Sequence, residues 1–163
     1  MFSKLVRRFS RKRRLEWFGT QLEREQTGGH VLKTAPDRSW YISLGPITTL
    51  DELANSPAWV MKLYDKAYGN RIVCEAHLVH CMSTKTLLIG DIEAHFENRG
   101  YGSLMLSNII TLAETLKIHE IKGNLTSTDS GHFDKLEHFY KKHGFCVEFD
   151  PGKISGRIVL QLT

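Results

Sequence analysis

Three cysteines, four prolines and three tryptophans in 163 residues leave this chain little covalent or rigid scaffolding. The cysteines, Cys74, Cys81 and Cys146, are odd in number and lack metal-ligand spacing, which excludes a disulfide framework or a cysteine-built zinc site. They read as reduced packing residues of a cytoplasmic protein. Eight histidines are present, yet neither His77 with His80 nor His138 with His143 shares a face at ligand spacing, so no metal is expected. Long apolar runs are also missing. The longest, Ser103 to Ala113, falls well below the roughly 20 residues that cross a bilayer, so no transmembrane segment is expected. The first thirty residues have no continuous apolar core of the secretory kind. Neither internal repeats nor low-complexity linkers occur.

Acidic residues are absent from residues 1–14, which hold Lys4, Arg7, Arg8, Arg11, Lys12, Arg13 and Arg14. The whole chain is +4, so this local +7 leaves residues 15–163 at −3. Phe2, Leu5, Val6 and Phe9 sit at helical spacing between the basic residues, and Leu15, Phe18 and Leu22 extend the stripe. The pattern predicts an N-terminal basic amphipathic helix from about Ser3 to Glu25, within a segment 1–27 separate from a domain 28–163. Such a helix packs on its own domain, or docks a polyanion or protein partner through residues 1–14. Phe9, Trp17 and Phe18 among the basic residues leave nucleic-acid association open.

What is present is a mixed α/β pattern with 41% hydrophobic and 25% charged residues, enough for one domain with a sizeable core. Short strands are expected at His30–Lys33 and Trp40–Leu44, and a helix start at Thr48 or Thr49 with Asp51 and Glu52 in its first turn. Pro57 reads as the first position of a further helix running to about Tyr68. Strands follow at Ile72–Cys81, Leu87–His95, Ile118–Thr126 and Phe145–Phe149, with a terminal hairpin turning at Asp150–Lys153 into Ile158–Leu162. Met105, Ile109, Leu112, Ala113 and Leu116 recur at helical spacing, as do Phe133, Leu136, Phe139 and Tyr140.

Two joints carry chemistry. Phe96-Glu97-Asn98-Arg99-Gly100-Tyr101-Gly102-Ser103 links a strand to a helix. Its glycines let backbone N–H groups approach a ligand, and the helix start adds a positive dipole end, which suits phosphate. About forty residues later, Tyr140-Lys141-Lys142-His143-Gly144-Phe145 closes another helix. Together, and in this order, the two stretches resemble the GNAT superfamily of acyl-CoA-dependent N-acyltransferases. That family has a cofactor loop Arg/Gln-x-x-Gly-x-Gly/Ala and a helix ending in Tyr-x-x-x-Gly-Phe. The resemblance runs from about Ile72 to Leu162. Glu97 stands where the family has Arg or Gln, and a carboxylate there repels phosphates unless it points away or pairs with Arg99.

The resemblance implies a single-domain fold with a mixed, mostly antiparallel central sheet flanked by helices. The sheet is splayed at the acyl-CoA site, between strands Leu87–His95 and Ile118–Thr126. It implies acetyl-CoA as co-substrate. Backbone groups of Asn98, Arg99, Gly100, Tyr101, Gly102 and Ser103 would take its pyrophosphate, and Ile92, Glu93 and Ala94 its pantetheine. Tyr140 matches the tyrosine that protonates the departing thiolate. The general base is expected at Glu93 or Asp129, the latter also placed to cap the Tyr140 helix. Glu75 and His77 share one strand face, and Asp91, Glu93 and His95 alternate along the next strand opposite Leu88, Ile92 and Ala94. The implied function is an N-acetyltransferase acting on a primary amine. The alternative is a catalytically silent acyl-CoA-binding or partner-docking module on the same fold.

Overall fold

The computed structural model describes residues 26–162, apart from 28, 36, 38, 46–48 and 70. The expected helix over residues 3–25, the docking residues 1–14 and the cap candidate Thr48 lie outside them. Nine strands form one sheet in the order β1-β2-β3-β4-β5-β6-β7-β9-β8. They are β1 (Gln26–Thr27), β2 (Gly29–Thr34), β3 (Trp40–Leu44), β4 (Ala58–Asp65), β5 (Arg71–Cys81), β6 (Thr86–Ala94), β7 (Glu120–Leu125), β8 (Cys146–Phe149) and β9 (Gly156–Gln161). The first six strands follow one another as an antiparallel meander; β6 and β7 are parallel, and β7–β9–β8 is antiparallel again. A parallel neighbour needs a crossover, and α2 (Tyr101–Thr115) supplies it. The other α-helices among the described residues are α1 (Leu50–Asn55), capped by Thr49 as the sequence suggests, and α3 (Phe133–Lys142).

The segment expected as a helix from Pro57 to Tyr68 is instead strand β4, followed by a single 3-10 turn at Lys66–Tyr68. Trp59, Met61 and Leu63 are fully buried at alternate positions, and β4 pairs with β3 on one side and β5 on the other. A period of two with partners on both edges outweighs the local signal of a proline near a helix start.

The core lies on one side of the sheet. Trp59, Met61 and Leu63 of β4 and Cys74, Ala76 and Leu78 of β5 meet Met105, Leu106, Ile109, Leu112 and Ala113 of α2. On the opposite side Lys62, Glu75, His77 and Val79 are half-buried or exposed. A β-bulge keeps this sidedness along β6: His77 pairs with Asp91 but Leu78 with Ile89, which leaves Gly90 as the extra residue. The expected simple alternation along β6 therefore breaks at Gly90. Leu88, paired with Val79, falls on the open face with Asp91 and Glu93, while Ile89 and Ile92 face the helices.

Candidate active site

The β6–β7 ladder runs through four rungs, Thr86 with Glu120 to Ile89 with Gly123, and stops there. Both strands continue, β6 to Ala94 and β7 to Leu125. The backbone groups of Gly90–Ala94 that face β7 therefore have no strand partner among the described residues. The sheet is splayed where the sequence resemblance places it. Gly123 marks the end of the ladder for a packing reason: a Cβ there would lie 2.9 Å from Ile158 Cδ1 and 3.3 Å from the Ile89 carbonyl oxygen. The side chain of β9 thus occupies the space that any other residue would need.

Above the gap stands the start of α2. Its N-cap is Gly100, at φ +77°, a left-handed conformation that favours glycine. Asn98 also takes a positive φ, +57°, so the turn approaches the helix tightly. No side chain caps this helix and its first turn holds no acid, which leaves the leading N–H groups and the dipole end available to an anion. Glu97 and Arg99 are both exposed, and they form no ion pair with each other. Of the two arrangements that would relieve phosphate repulsion, pairing is excluded here.

Sequence reading missed how this loop is held. The Tyr101 hydroxyl donates to Asp65 Oδ2 at 2.6 Å, while Asp65 Oδ1 accepts from the Ala67 N–H at 2.8 Å. One carboxylate at the end of β4 thus ties down both the 3-10 turn and the first residue of α2. Loss of solvent, together with the bond to Asp65, pushes the Tyr101 phenol well above its usual range. Tyr68 stacks on Phe96 at 4.1 Å and meets Tyr101 edge-on at 6.4 Å, so the loop leaves β6 over an aromatic bed. The partners are 36 residues apart, and no local pattern announces such a contact. Asp65→Ala should lower stability by about 1–3 kcal/mol, because it orphans a part-buried donor and uncaps the turn. In urea titrations of both variants, Tyr101→Phe should lose about half as much or less, since the Asp65 carboxylate keeps the Ala67 N–H.

Tyr140 approaches from α3. It is 7% exposed, with its ring against Phe139 at 5.0 Å and Phe145 at 5.5 Å. Phe139 in turn lies beside Gly102, where an added Cβ would be 3.6 Å from the ring. The two motif helices therefore touch, and Tyr140 is carried next to the loop. Burial, and then the carboxylates of Asp91 and Asp129, push its phenol up to about 12. Those two residues belong to opposite sides of the gap: Asp91 to β6, Asp129 to the turn after β7. Tyr140 feels both.

Asp129 does cap a helix, though not the one expected. Its Oδ2 accepts from the Thr126 N–H at 2.8 Å and the Thr126 hydroxyl at 3.1 Å, closing a capping box on the 3-10 turn Ser127–His132 that leads into α3. Glu93 is exposed, 3.6 Å from His95 Nδ1. Beyond the end of β7, Asn124, Ser127, Phe149, Ile154 and Arg157 line a groove of about 720 Å³ between the strand and the β8–β9 hairpin. No group of metal-ligating side chains is found among the described residues, and none of their helices is long and apolar enough to cross a membrane.

Two buried acids make stability pH-dependent. Tyr140 is raised to about 12 and Cys74, fully buried, is raised from 9 to about 12, both by loss of solvent. A group raised in the folded state stabilises fully below its unfolded pKa and ceases to as pH climbs through the folded value. Urea midpoints should hold to about pH 9 and then fall toward pH 12. At about 1.4 kcal/mol per unit, the loss is several kcal/mol.

No protein-family model matches the chain. An uncharacterized protein of Bacillus subtilis, YocC, is 35% identical over 81 residues, 50% of this chain and 48% of that protein. The chain thus spans about half the length of this curated relative. Solved structures align more widely. A Bacillus subtilis acetyltransferase in complex with CoA superposes with a TM-score of 0.56 at 16% identity, covering 75% of this chain and 98% of that one. A Vibrio cholerae spermidine/spermine N-acetyltransferase gives 0.52 at 14%, with 68% and 70% covered. A GNAT-family acetyltransferase of Staphylococcus aureus gives 0.53 at 15%, with 67% and 71% covered. The fold is that of the GNAT acetyltransferases.

Proposed function

We propose that this protein is an N-acetyltransferase that moves an acetyl group from acetyl-CoA to a primary amine. The observation that carries the reading is the parallel ladder that stops at Ile89 and Gly123 beneath an uncapped, glycine-started helix. An extended chain of amides, such as pantetheine, can pair with the vacant β6 edge at Ile92, Glu93 and Ala94. The N–H groups from Asn98 to Ser103 suit the pyrophosphate. The relative solved with CoA supports this assignment of ligand.

Bound acetyl-CoA supplies the thioester. The chain's own contribution to breaking it is Tyr140. A phenol held near 12 stays protonated throughout neutral pH and is a weaker acid than a thiol, whose usual value is about 8.5. Tyr140 therefore supports the departing sulfur by donating a hydrogen bond to it, without surrendering its proton for good. This is a narrower role than full protonation; an unburied phenol, at about 10, is already the weaker acid, and burial widens the difference.

The reading is tested in two steps. Coenzyme A should raise the melting temperature saturably, since a ligand bound only by the folded state adds about 2.7 kcal/mol at a hundredfold excess over its dissociation constant. Thiol release from acetyl-CoA across pooled amines should then be catalysed. A shift without release would favour the silent acyl-CoA-binding module, and no shift at millimolar ligand would remove both readings.

A further inference from the structure

The face of the sheet that no described helix covers carries a hydrogen-bonded pair that the acetyltransferase reading leaves idle. His77 Nε2 lies 2.8 Å from Glu75 Oε1 on the same strand, and Glu75 Oε2 lies 3.7 Å from Lys62 Nζ on β4. His77 is paired across β5–β6 with Asp91, the second residue past the last parallel rung, and Glu75 with Glu93. The pair therefore stands one strand from the gap, on the face opposite the one that α2 and α3 cover. Its members are unequally exposed: the His77 side chain is 55% accessible and that of Glu75 25%. A fixed carboxylate behind an accessible imidazole is an orienting arrangement.

We infer that His77, held by Glu75, is the general base of the reaction, and that the acceptor amine enters over the open face. This rests on the acetyltransferase reading. The amine adds to one face of the planar thioester carbonyl, and the sulfur then leaves the tetrahedral adduct. Tyr140 reaches the sulfur from the helix side, which leaves the face where His77 stands for the amine and its proton acceptor. Glu75 on Nε2 selects the tautomer with its proton there and leaves the Nδ1 lone pair free. Asp129 Oδ2 is already engaged by Thr126. Around His77 stand Glu75 on its own strand, Asp91 and Glu93 on β6, and Lys62 on β4. The three carboxylates outnumber the one cation and draw an ammonium to this face.

One ammonium proton of the acceptor passes to His77 Nδ1 and on to solvent. The freed nitrogen lone pair forms the C–N bond to the acetyl carbon while the C–S bond breaks, its electron pair staying on sulfur. A second N–H proton ends on the sulfur, which Tyr140 holds by its hydrogen bond, and the products are amide, thiol and one released proton.

The test measures thiol release from acetyl-CoA against pH, with pooled amines, for the full-length wild type, His77→Ala, His77→Gln and Glu75→Gln. Coenzyme A thermal shifts are recorded for each. All four proteins should give the same shift. His77→Ala and His77→Gln should lose roughly 10²-fold in rate near pH 7, recover as the pH approaches that of the free amine, and in the alanine variant regain rate on addition of imidazole. Glu75→Gln should displace the pH profile with a smaller loss at its plateau. A His77→Ala profile that superposes on wild type, or a pH-independent loss that imidazole leaves untouched, overturns the inference while the acetyltransferase reading stands. Wild-type protein that binds coenzyme A yet releases no thiol overturns both.

Discussion

Replacing Tyr140 by Phe should lower the turnover of acetyl transfer by about 10²-fold, with coenzyme A affinity and folding stability nearly unchanged. The substitution keeps the ring that packs between Phe139 and Phe145 and deletes one oxygen. That oxygen has no hydrogen-bond partner among the described residues, so its removal strands no buried group. A hydrogen bond to a charged partner contributes about 1.5–3 kcal/mol, which spans roughly ten- to 150-fold in rate when the charge exists only as sulfur departs. The signature is a fall in kcat with little movement in KM, read under conditions where chemistry limits the rate. A turnover equal to wild type would return Tyr140 to the packing of α3 against the sheet. The same variant should also lose part of the alkaline transition, because one of the groups that titrate in it is gone.

Gly102→Glu should abolish coenzyme A binding in a protein that is at least as stable as wild type. The two effects have opposite signs for one reason. Gly102 lies in the first turn of α2, at ordinary contact distance from Phe139, and its backbone is not left-handed. A glutamate there replaces the second-poorest helix former with a good one and places a negative charge at the positive end of the dipole, each favourable by several tenths of a kcal/mol. What it fills is the space and the N–H groups assigned to the pyrophosphate, and it meets phosphate with like charge. Melting temperature should hold or rise slightly without ligand, and the coenzyme A shift should vanish at concentrations that saturate wild type. A variant that still shifts would move the phosphate site away from this helix. Gly100→Asp is the less clean experiment, since its left-handed φ makes any side chain strained before ligand is added.

The order of motifs was legible because each motif reports a local requirement. A positive φ needs glycine at position 100, and a helix end needs Gly144, at φ +91°. The parallel register was implied by resemblance and is met at the two strands it named. The helix expected after Pro57 failed because proline reports only the first turn, whereas the identity of β4 depends on β3 and β5, neither of which its own residues encode. Asp65 was invisible for the same reason, its role being set by a tyrosine 36 residues away. Gly90 carries a usable signal: a glycine inside a strand pattern marks a bulge, and this one decides which face Asp91 and Glu93 occupy. The pairing of Glu75 with His77 was readable as a shared face, but its use depends on which face the helices leave open.

The four rungs from Thr86–Glu120 to Ile89–Gly123 have a mechanical consequence. They join, within the sheet, a six-strand meander to a three-strand flap, like a zip halted partway along its track. Beyond the slider the two sides form a pair of levers, and a wedge driven between them pries hardest at the final tooth. That tooth is Gly123, where Ile158 leans across the seam. A bulkier residue there would have to push Ile158 aside and crowd the Ile89 carbonyl, so the last tooth closes only because it is bare.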